Sequence, residues 1–266
     1  MKYREMEEQY RSGRSGRETV RLSLRLEAVA AFVPEKAAVA DIGTDHGYIP
    51  IHLIESGRAA KALAMDVGRG PLNRAREHIE AMEPQFRERI ELRLSDGLKE
   101  LKAGEADTVV IAGMGGELII RILDQGRHVW ETVKTWVLSP QSEPEQVRQF
   151  LAREGFGIRR EQMVKDGGKY YTIMEVKRGT MPPMGEAEYR YGPCLIRDCH
   201  PVLLEYLDQE EERLRGVLKG FKGQDEESWS EGQRRASRQL QGQLELIFAA
   251  REKMKKEDSH EMRGTD

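Results

Sequence analysis

The chain has 266 residues, a formal net charge of −3, and 38% hydrophobic and 6% aromatic content, which suits one water-soluble domain of medium size with an appendage. No apolar run approaches the ~20 residues of a membrane span, and the opening MKYREMEEQYRSGRSGRETV lacks the apolar core of a signal peptide, so the chain reads as cytoplasmic with no membrane partner. The two cysteines, Cys194 and Cys199, have no Cys/His cluster beside them, which excludes a disulfide framework and a zinc site; no metal is expected.

Residues 1–20 match no recognisable pattern and read as a poorly ordered extension. Strand-like runs follow at AVADI (38–42), KALAMDV (61–67), IELRL (90–94), TVVIAG (108–113) and TWVLSP (135–140), separated by helix-compatible stretches that begin near Tyr48, Pro71, Gly116 and Pro144. This βαβ repetition predicts an α/β, Rossmann-like parallel sheet with helices on both faces. Pro71 and Pro144 suit the first turn of a helix, where a missing N–H costs nothing. IRREQMV and KYYTIMEVK, joined by KDGG, predict a hairpin that closes the sheet with an antiparallel edge. The Pro/Gly-rich RGTMPPMGEAEYRYGP (178–193) marks a boundary, so the expected division is a ligand-binding domain at 21–178, a linker at 179–193, a helical domain at 194–256 and a tail at 257–266. Beyond the boundary, Leu203, Leu207, Leu214, Leu218 and Phe221, then Leu240, Leu244, Ile247 and Met254, recur at helical spacing around the interruption KGQDEESWSEGQ. Two long helices folded back as a coiled-coil hairpin are predicted.

The stretch DIGTDHGY carries the first chemical signal. Doubly wound sheets bind ligands at the carboxyl ends of their strands, where the strand order reverses, and the first strand with its glycine turn lies there. Gly43 and Gly47 fit the dinucleotide fingerprint loosely, but Asp45 takes the place of the middle glycine, and a carboxylate there repels a pyrophosphate. A nicotinamide-dependent oxidoreductase shares the layout and is disfavoured by that acid. Asp66 ends the second strand, 23 residues beyond Gly43, where a carboxylate accepts hydrogen bonds from ribose hydroxyls, and Asp96 with Gly97 closes the third strand in the same way. Each acid alone also suits a local duty: Asp41 as a loop cap, Asp66 as an N-cap, Asp96 in an Asx turn. Together, acids at successive strand ends suit a ligand with a sulfonium, an amino group, a ribose and an adenine amine. S-adenosylmethionine has all four, and the residues expected to hold it are Asp41, Gly43, Thr44, Asp45, Gly47, Tyr48, Asp66, Val67, Asp96, Gly97, Ala112, Gly113 and Gly115.

RLSLRLEAVAAFVP leading into VADIGTDHGYIP, SDGL (95–98), EADTVVIAGMGGELIIRIL (105–123), LSPQ (138–141), GGKYY (167–171) and YGP (191–193) resemble the bacterial tRNA (adenine-22-N1)-methyltransferase family from residue 21 to about 250. The resemblance implies a class I methyltransferase domain followed by a helical coiled-coil domain, with methyl transfer from S-adenosylmethionine to N1 of an adenine in the D-arm region of tRNA. The chain departs from the family pattern at Leu24, where a lysine is usual, and at Ser139 and Gln141.

The fourth strand end agrees with an N1 target. Amino-directed adenine methyltransferases carry an Asn/Asp-Pro-Pro-aromatic motif there, whereas this chain has AGMGG. Ring N1 has an in-plane lone pair, so positioning supplies much of the catalysis. Methylation leaves a cation, and Asp45 is the candidate to stabilise it, with His46 and Met114 beside it. Basic clusters at 1–26 and 148–178 fit an RNA surface, although solvated charge on helix faces produces the same composition. Arg25, Gly116, Lys169 and Tyr171 near the site, and Arg234, Arg235 and Arg238 on the helical hairpin, are the expected tRNA contacts, in a protein that acts as a monomer. Another class I RNA methyltransferase and a noncatalytic RNA-binding protein remain open alternatives at this point.

Overall fold

The computed structural model describes residues 22–222 and 229–261, with side chains at 22–220 and 229–256. The predicted N-terminal extension, most of the break between the two long helices and the end of the tail lie outside these residues.

Seven strands form one sheet in the order β3-β2-β1-β4-β5-β7-β6. β1 (Ala37–Ile42), β2 (Ala59–Asp66), β3 (Ile90–Leu94), β4 (Thr108–Met114) and β5 (Thr135–Pro140) are mutually parallel. β6 (Phe156–Asp166) and β7 (Lys169–Arg178) form the hairpin, and β7 pairs antiparallel with β5. All five parallel strands appear within a residue or two of the stretches read from sequence. The order reverses between β1 and β4, which places the ligand crevice at their carboxyl ends.

Strand alternation sorts the core into two layers. Ala40, Ile42, Ile111 and Leu138 face α5 (Gly116–Gln125) and α6 (Pro144–Arg153) through Ile119, Leu123, Val147 and Leu151. Val39, Ala64, Val110 and Val137 face α1 (Leu24–Ala31), α2 (Tyr48–Glu55) and α3 (Arg69–Glu80) through Val29, Leu53, Ile54 and Ile79. By the same alternation Asp41 lies on the α1–α3 side. α4 (Pro84–Arg87) leads into β3.

A third cluster builds the C-terminal part. α7 (Glu186–Tyr191), α8 (Pro193–Arg197), α9 (Pro201–Lys222) and α10 (Glu231–Glu261) bury Tyr191, Leu195, Leu203, Leu207, Leu214, Ile247, Ala250 and Met254 together with Met163 of β6. α10 returns along α9, where Arg251 bonds Asp208 and Glu211, each at 2.6 Å. Within the 179–193 stretch read as a linker, residues 186–191 are helical, and the guanidinium of Arg148 binds the Tyr189 and Arg190 carbonyls of that helix at 2.8 and 3.1 Å.

Candidate active site

The loop after β1 is held by backbone geometry. The N–H groups of Gly43 and Thr44 both donate to the Met65 carbonyl, at 2.8 and 3.1 Å, so the loop is tied to β2. Gly43 turns with φ 78°, a conformation that L side chains rarely adopt, and a Cβ there would displace the flexible end of Met114 from the end of β4. Gly47, with φ 74°, caps α2 and leaves room for Ala75 of α3, whose Cβ would sit 3.1 Å from an added carbon.

β2, β1 and β4 are neighbours in the sheet, so Asp66 and Val67, the Asp41–Tyr48 loop and Ala112–Gly115 share one carboxyl edge. Asp41 is buried at the end of β1, and burial pushes its carboxyl up to about 7. The nearby Asp66 adds to the rise, while the buried Thr44 hydroxyl, which makes no well-formed hydrogen bond, opposes it only in part. Asp66 accepts from Gly68 N–H through Oδ1 at 2.7 Å, the local turn duty anticipated above, which leaves its second oxygen for a ligand. Val67 is 69% exposed, and Leu94, opposite Asp66 in the β2–β3 register, is 46% exposed. These two exposed apolar side chains, at the ends of β2 and β3 beside the acid, are the candidate shelf for a flat ring. Asp96 follows β3 in the open, and its hydrogen bond from Lys99 at 2.5 Å holds its carboxyl below the usual range. Gly97, with φ 61°, faces Ile122.

Asp45 sits with φ 46° and is 59% exposed, paired with Arg74 at 2.7 Å and lying 3.5 Å from Nε2 of His46. His46, Tyr48 and His78 stack on one another with centroids 5.1–5.7 Å apart. His78 donates through Nδ1 to the His46 carbonyl at 2.9 Å, which fixes the proton on that nitrogen because a carbonyl only accepts. Arg25 of α1 reaches the same edge: its guanidinium lies over the Tyr171 ring at 5.2 Å, and Nη1 lies 3.5 Å from where a Cβ of Gly113 would be. Lys169 is exposed two residues before Tyr171 on β7. Gly115 caps α5, and Gly116 is packed against the Ser142 and Glu143 carbonyls, 2.7 and 2.9 Å from its would-be Cβ, so that face of the glycine is filled by the loop after β5. Arg234, Arg235 and Arg238 are not brought to this edge; they are exposed on α10, which packs on α7, α8 and α9.

Sequence reasoning passed over Leu94, Arg74 and His78. Leu94 is found only once the register pairs it with Asp66. Arg74 and His78 are spaced i, i+4 on α3, a spacing that puts both on the face turned to the DIGTDHGY loop.

The residues present fit S-adenosylmethionine. An acid and an apolar shelf meet at β2 and β3, a further acid is buried at β1, and two buried polar atoms, Arg25 Nη1 and Thr44 Oγ1, have no hydrogen-bond partner. Among the described residues no helix is long and apolar enough to cross a membrane.

Sheet order and strand-end acids together define a Rossmann-like methyltransferase domain, and a family model described as a methyltransferase domain matches residues 22–174. The tRNA (adenine(22)-N(1))-methyltransferase of Bacillus subtilis is 30% identical over 203 residues, which are 74% of this chain and 84% of that protein. The chain therefore belongs to the tRNA (adenine-22-N1)-methyltransferase family. Among solved structures, a Streptococcus pneumoniae protein described as a candidate tRNA (m1A22) methyltransferase, in complex with S-adenosyl-L-methionine, is 32% identical with a TM-score of 0.75, over 86% of this chain and 99% of that one. The crystal structure of the B. subtilis m1A22 tRNA methyltransferase is similar at 28% identity and a TM-score of 0.74, over 87% of this chain and 99% of that one.

Proposed function

We infer that this chain is a tRNA methyltransferase that moves a methyl group from S-adenosylmethionine to N1 of adenine 22, working as a monomer in the cytoplasm. The observation that carries the reading is the edge where Asp41, Asp66 and the Val67–Leu94 shelf lead, strand by strand, to a glycine-lined β4 end with no amine-binding motif. When bound, the cofactor supplies an electrophilic methyl on a sulfonium. The protein's part is to hold that methyl in line with the N1 lone pair and to keep anionic groups where the adenine turns cationic. Incubating unmodified tRNA with the protein and S-adenosylmethionine, then mapping modified nucleotides by mass spectrometry, tests it. N1-methyladenosine at position 22 is expected; a methyl group on another atom, or no transfer, rejects the reading.

Asp66 holds the ribose in this reading. Asp66→Ala is expected to weaken S-adenosylmethionine binding by about 1.5–3 kcal/mol, the range for hydrogen bonds to a charged group, with the fold intact. Unchanged affinity in calorimetry would remove Asp66 from the site.

Asp45 is proposed to stabilise the methylated base, with His46 and Met114 shaping its surroundings. Its pairing with Arg74 is solvent-exposed, and such pairs contribute only ~0.2–1 kcal/mol, so the carboxylate can exchange partners when a cation forms nearby. Asp45→Asn is expected to lower single-turnover rate far more than tRNA affinity. Lost tRNA binding with intact chemistry would assign Asp45 to binding instead.

Residues 21–178 are proposed as the catalytic unit and 194–256 as an arm that grips tRNA by shape and phosphates. Leu203, Leu207, Leu214, Ile247, Ala250 and Met254 of α9 and α10 are buried within the chain, while Leu204, Val217 and Phe248 stay exposed. Of the arm's basic side chains, Arg251, Lys253 and Lys255 pair with Glu211, Glu188 and Glu252; Arg234, Arg235 and Arg238 are exposed near the start of α10, with Arg234 Nε donating to the Trp229 carbonyl at 3.2 Å. Changing those three arginines to Glu is expected to keep cofactor affinity, weaken tRNA binding and flatten its salt dependence, because fewer phosphate counterions are released. Wild-type methylation rates at subsaturating tRNA would show that the arm serves another purpose.

A further inference from the structure

The orphaned donor of Arg25 is not explained by the fold. Its Nη1 is buried without a hydrogen-bond partner, beside Gly113 at the end of β4, while the guanidinium rests on Tyr171. A buried donor left without a partner is destabilising, so the arrangement makes sense when a ligand supplies the acceptor.

The sheet order says which ligand atom that is. The ring shelf and the ribose acid stand at β3 and β2, so a bound S-adenosylmethionine, whose amino-acid end lies opposite its adenosine end, extends across β1 toward β4, where Arg25 waits. The acids of the site, Asp41, Asp66 and Asp96, suit the ammonium, the ribose hydroxyls and the adenine amine. None of them can receive the ligand's own anion. A guanidinium is matched to a carboxylate in charge and fork geometry. Next to the target adenine the same cation would oppose the positive charge that methylation creates, so a base-reading role conflicts with the chemistry.

We propose that Arg25 binds the α-carboxylate of S-adenosylmethionine and so belongs to the cofactor pocket, not to the tRNA surface where the sequence placed it. The proposal rests on the reading that this edge holds S-adenosylmethionine. Calorimetry separates the two: a wild-type protein that binds neither S-adenosylmethionine nor S-adenosylhomocysteine fails the earlier reading, whereas the carboxylate assignment is judged on decarboxylated S-adenosylmethionine. The wild-type protein is expected to bind the decarboxylated compound about 10- to 100-fold more weakly than S-adenosylmethionine, the span for losing one charge-assisted pair. Arg25→Met is expected to lose affinity for S-adenosylmethionine and to bind the two compounds alike. Arg25→Lys, which keeps the charge but not the fork, is expected to retain part of the preference, and it serves as the reporter if the methionine variant does not fold. Equal binding of both compounds by wild type overturns the proposal. So does an Arg25→Met protein that keeps the full preference and loses only tRNA affinity.

Discussion

Glu161→Ala is expected to lower the stability of the protein by about 3–5 kcal/mol, the usual result of removing one partner from a buried ion pair. Arg148 of α6 and Glu161 of β6 are both buried and joined by Nε–Oε1 at 2.9 Å. The pair acts as a joint between sheet and helical arm. Arg148 Nη1 donates to the last carbonyls of α7, while Glu161 Oε2 accepts from Cys194 N–H at 2.9 Å, at the start of α8. Cation at a helix C-terminus and anion at a helix N-terminus is also the favourable sense for the helix dipoles. Gly192, with φ 103°, passes between them, and a Cβ there would lie 2.7 Å from Glu161 Oε2 and 2.9 Å from Arg148 Nη2. Alanine at 161 strands the guanidinium with two carbonyls and no counterion. Urea unfolding at neutral pH measures the loss. The double change Arg148→Met with Glu161→Leu is expected to be less destabilising than Glu161→Ala alone, because no charge is left buried and unpaired. A single variant as stable as wild type would mean that water reaches the joint. If the arm grips tRNA as proposed, Glu161→Ala is also expected to weaken tRNA binding more than cofactor binding.

The sheet was legible because its signals are local: β-branched and alanine-rich runs such as TVVIAG, helix starts at proline, and a KDGG turn each declare themselves within a few residues. The strand-end acids were legible for the same reason, since Asp41, Asp66 and Asp96 stand beside glycines or at the close of apolar runs. What was not legible depends on register and on approach between distant segments. Leu94 stands opposite Asp66 only because β3 pairs with β2, and Gly116 is small because carbonyls of the loop after β5 press against it. The Arg148–Glu161 joint links residues 13 apart on two elements and binds the ends of two further helices, so a Pro/Gly-rich stretch that reads as a linker contains a docked helix. Charge along α10 is also settled by distant partners: Arg251 and Lys253 are each paired with an acid of another helix, and Lys255 with Glu252 of its own.

Asp41→Asn is expected to make the protein more stable at pH 8 while leaving it little changed near pH 4, a pH-dependent gain with a definite sign. The carboxyl of Asp41 is raised from 3.8 to about 7, first by burial and then by the negative charge of Asp66. Between those values the folded chain holds a proton that the unfolded chain has released, so stability falls as pH rises through the window. The favourable contribution is complete below the unfolded value and gone above about 7, and its full span is at most ~4 kcal/mol at 1.36 kcal/mol per pH unit. Asparagine is neutral throughout and lacks this slope, so urea unfolding at several pH values gives curves that diverge in favour of the variant as pH increases. The same linkage shapes ligand binding. With the cofactor ammonium beside Asp41, as proposed, the charged carboxylate is favoured, so binding at pH 6 is expected to release a proton, and cofactor affinity should climb from about pH 5 to pH 7. Calorimetry in buffers of different ionisation enthalpy reads the proton directly: release in wild type, none in Asp41→Asn. Parallel stability curves for the two proteins, or equal proton release from both, would place the titrating group elsewhere and leave Asp41 ionised in the folded chain.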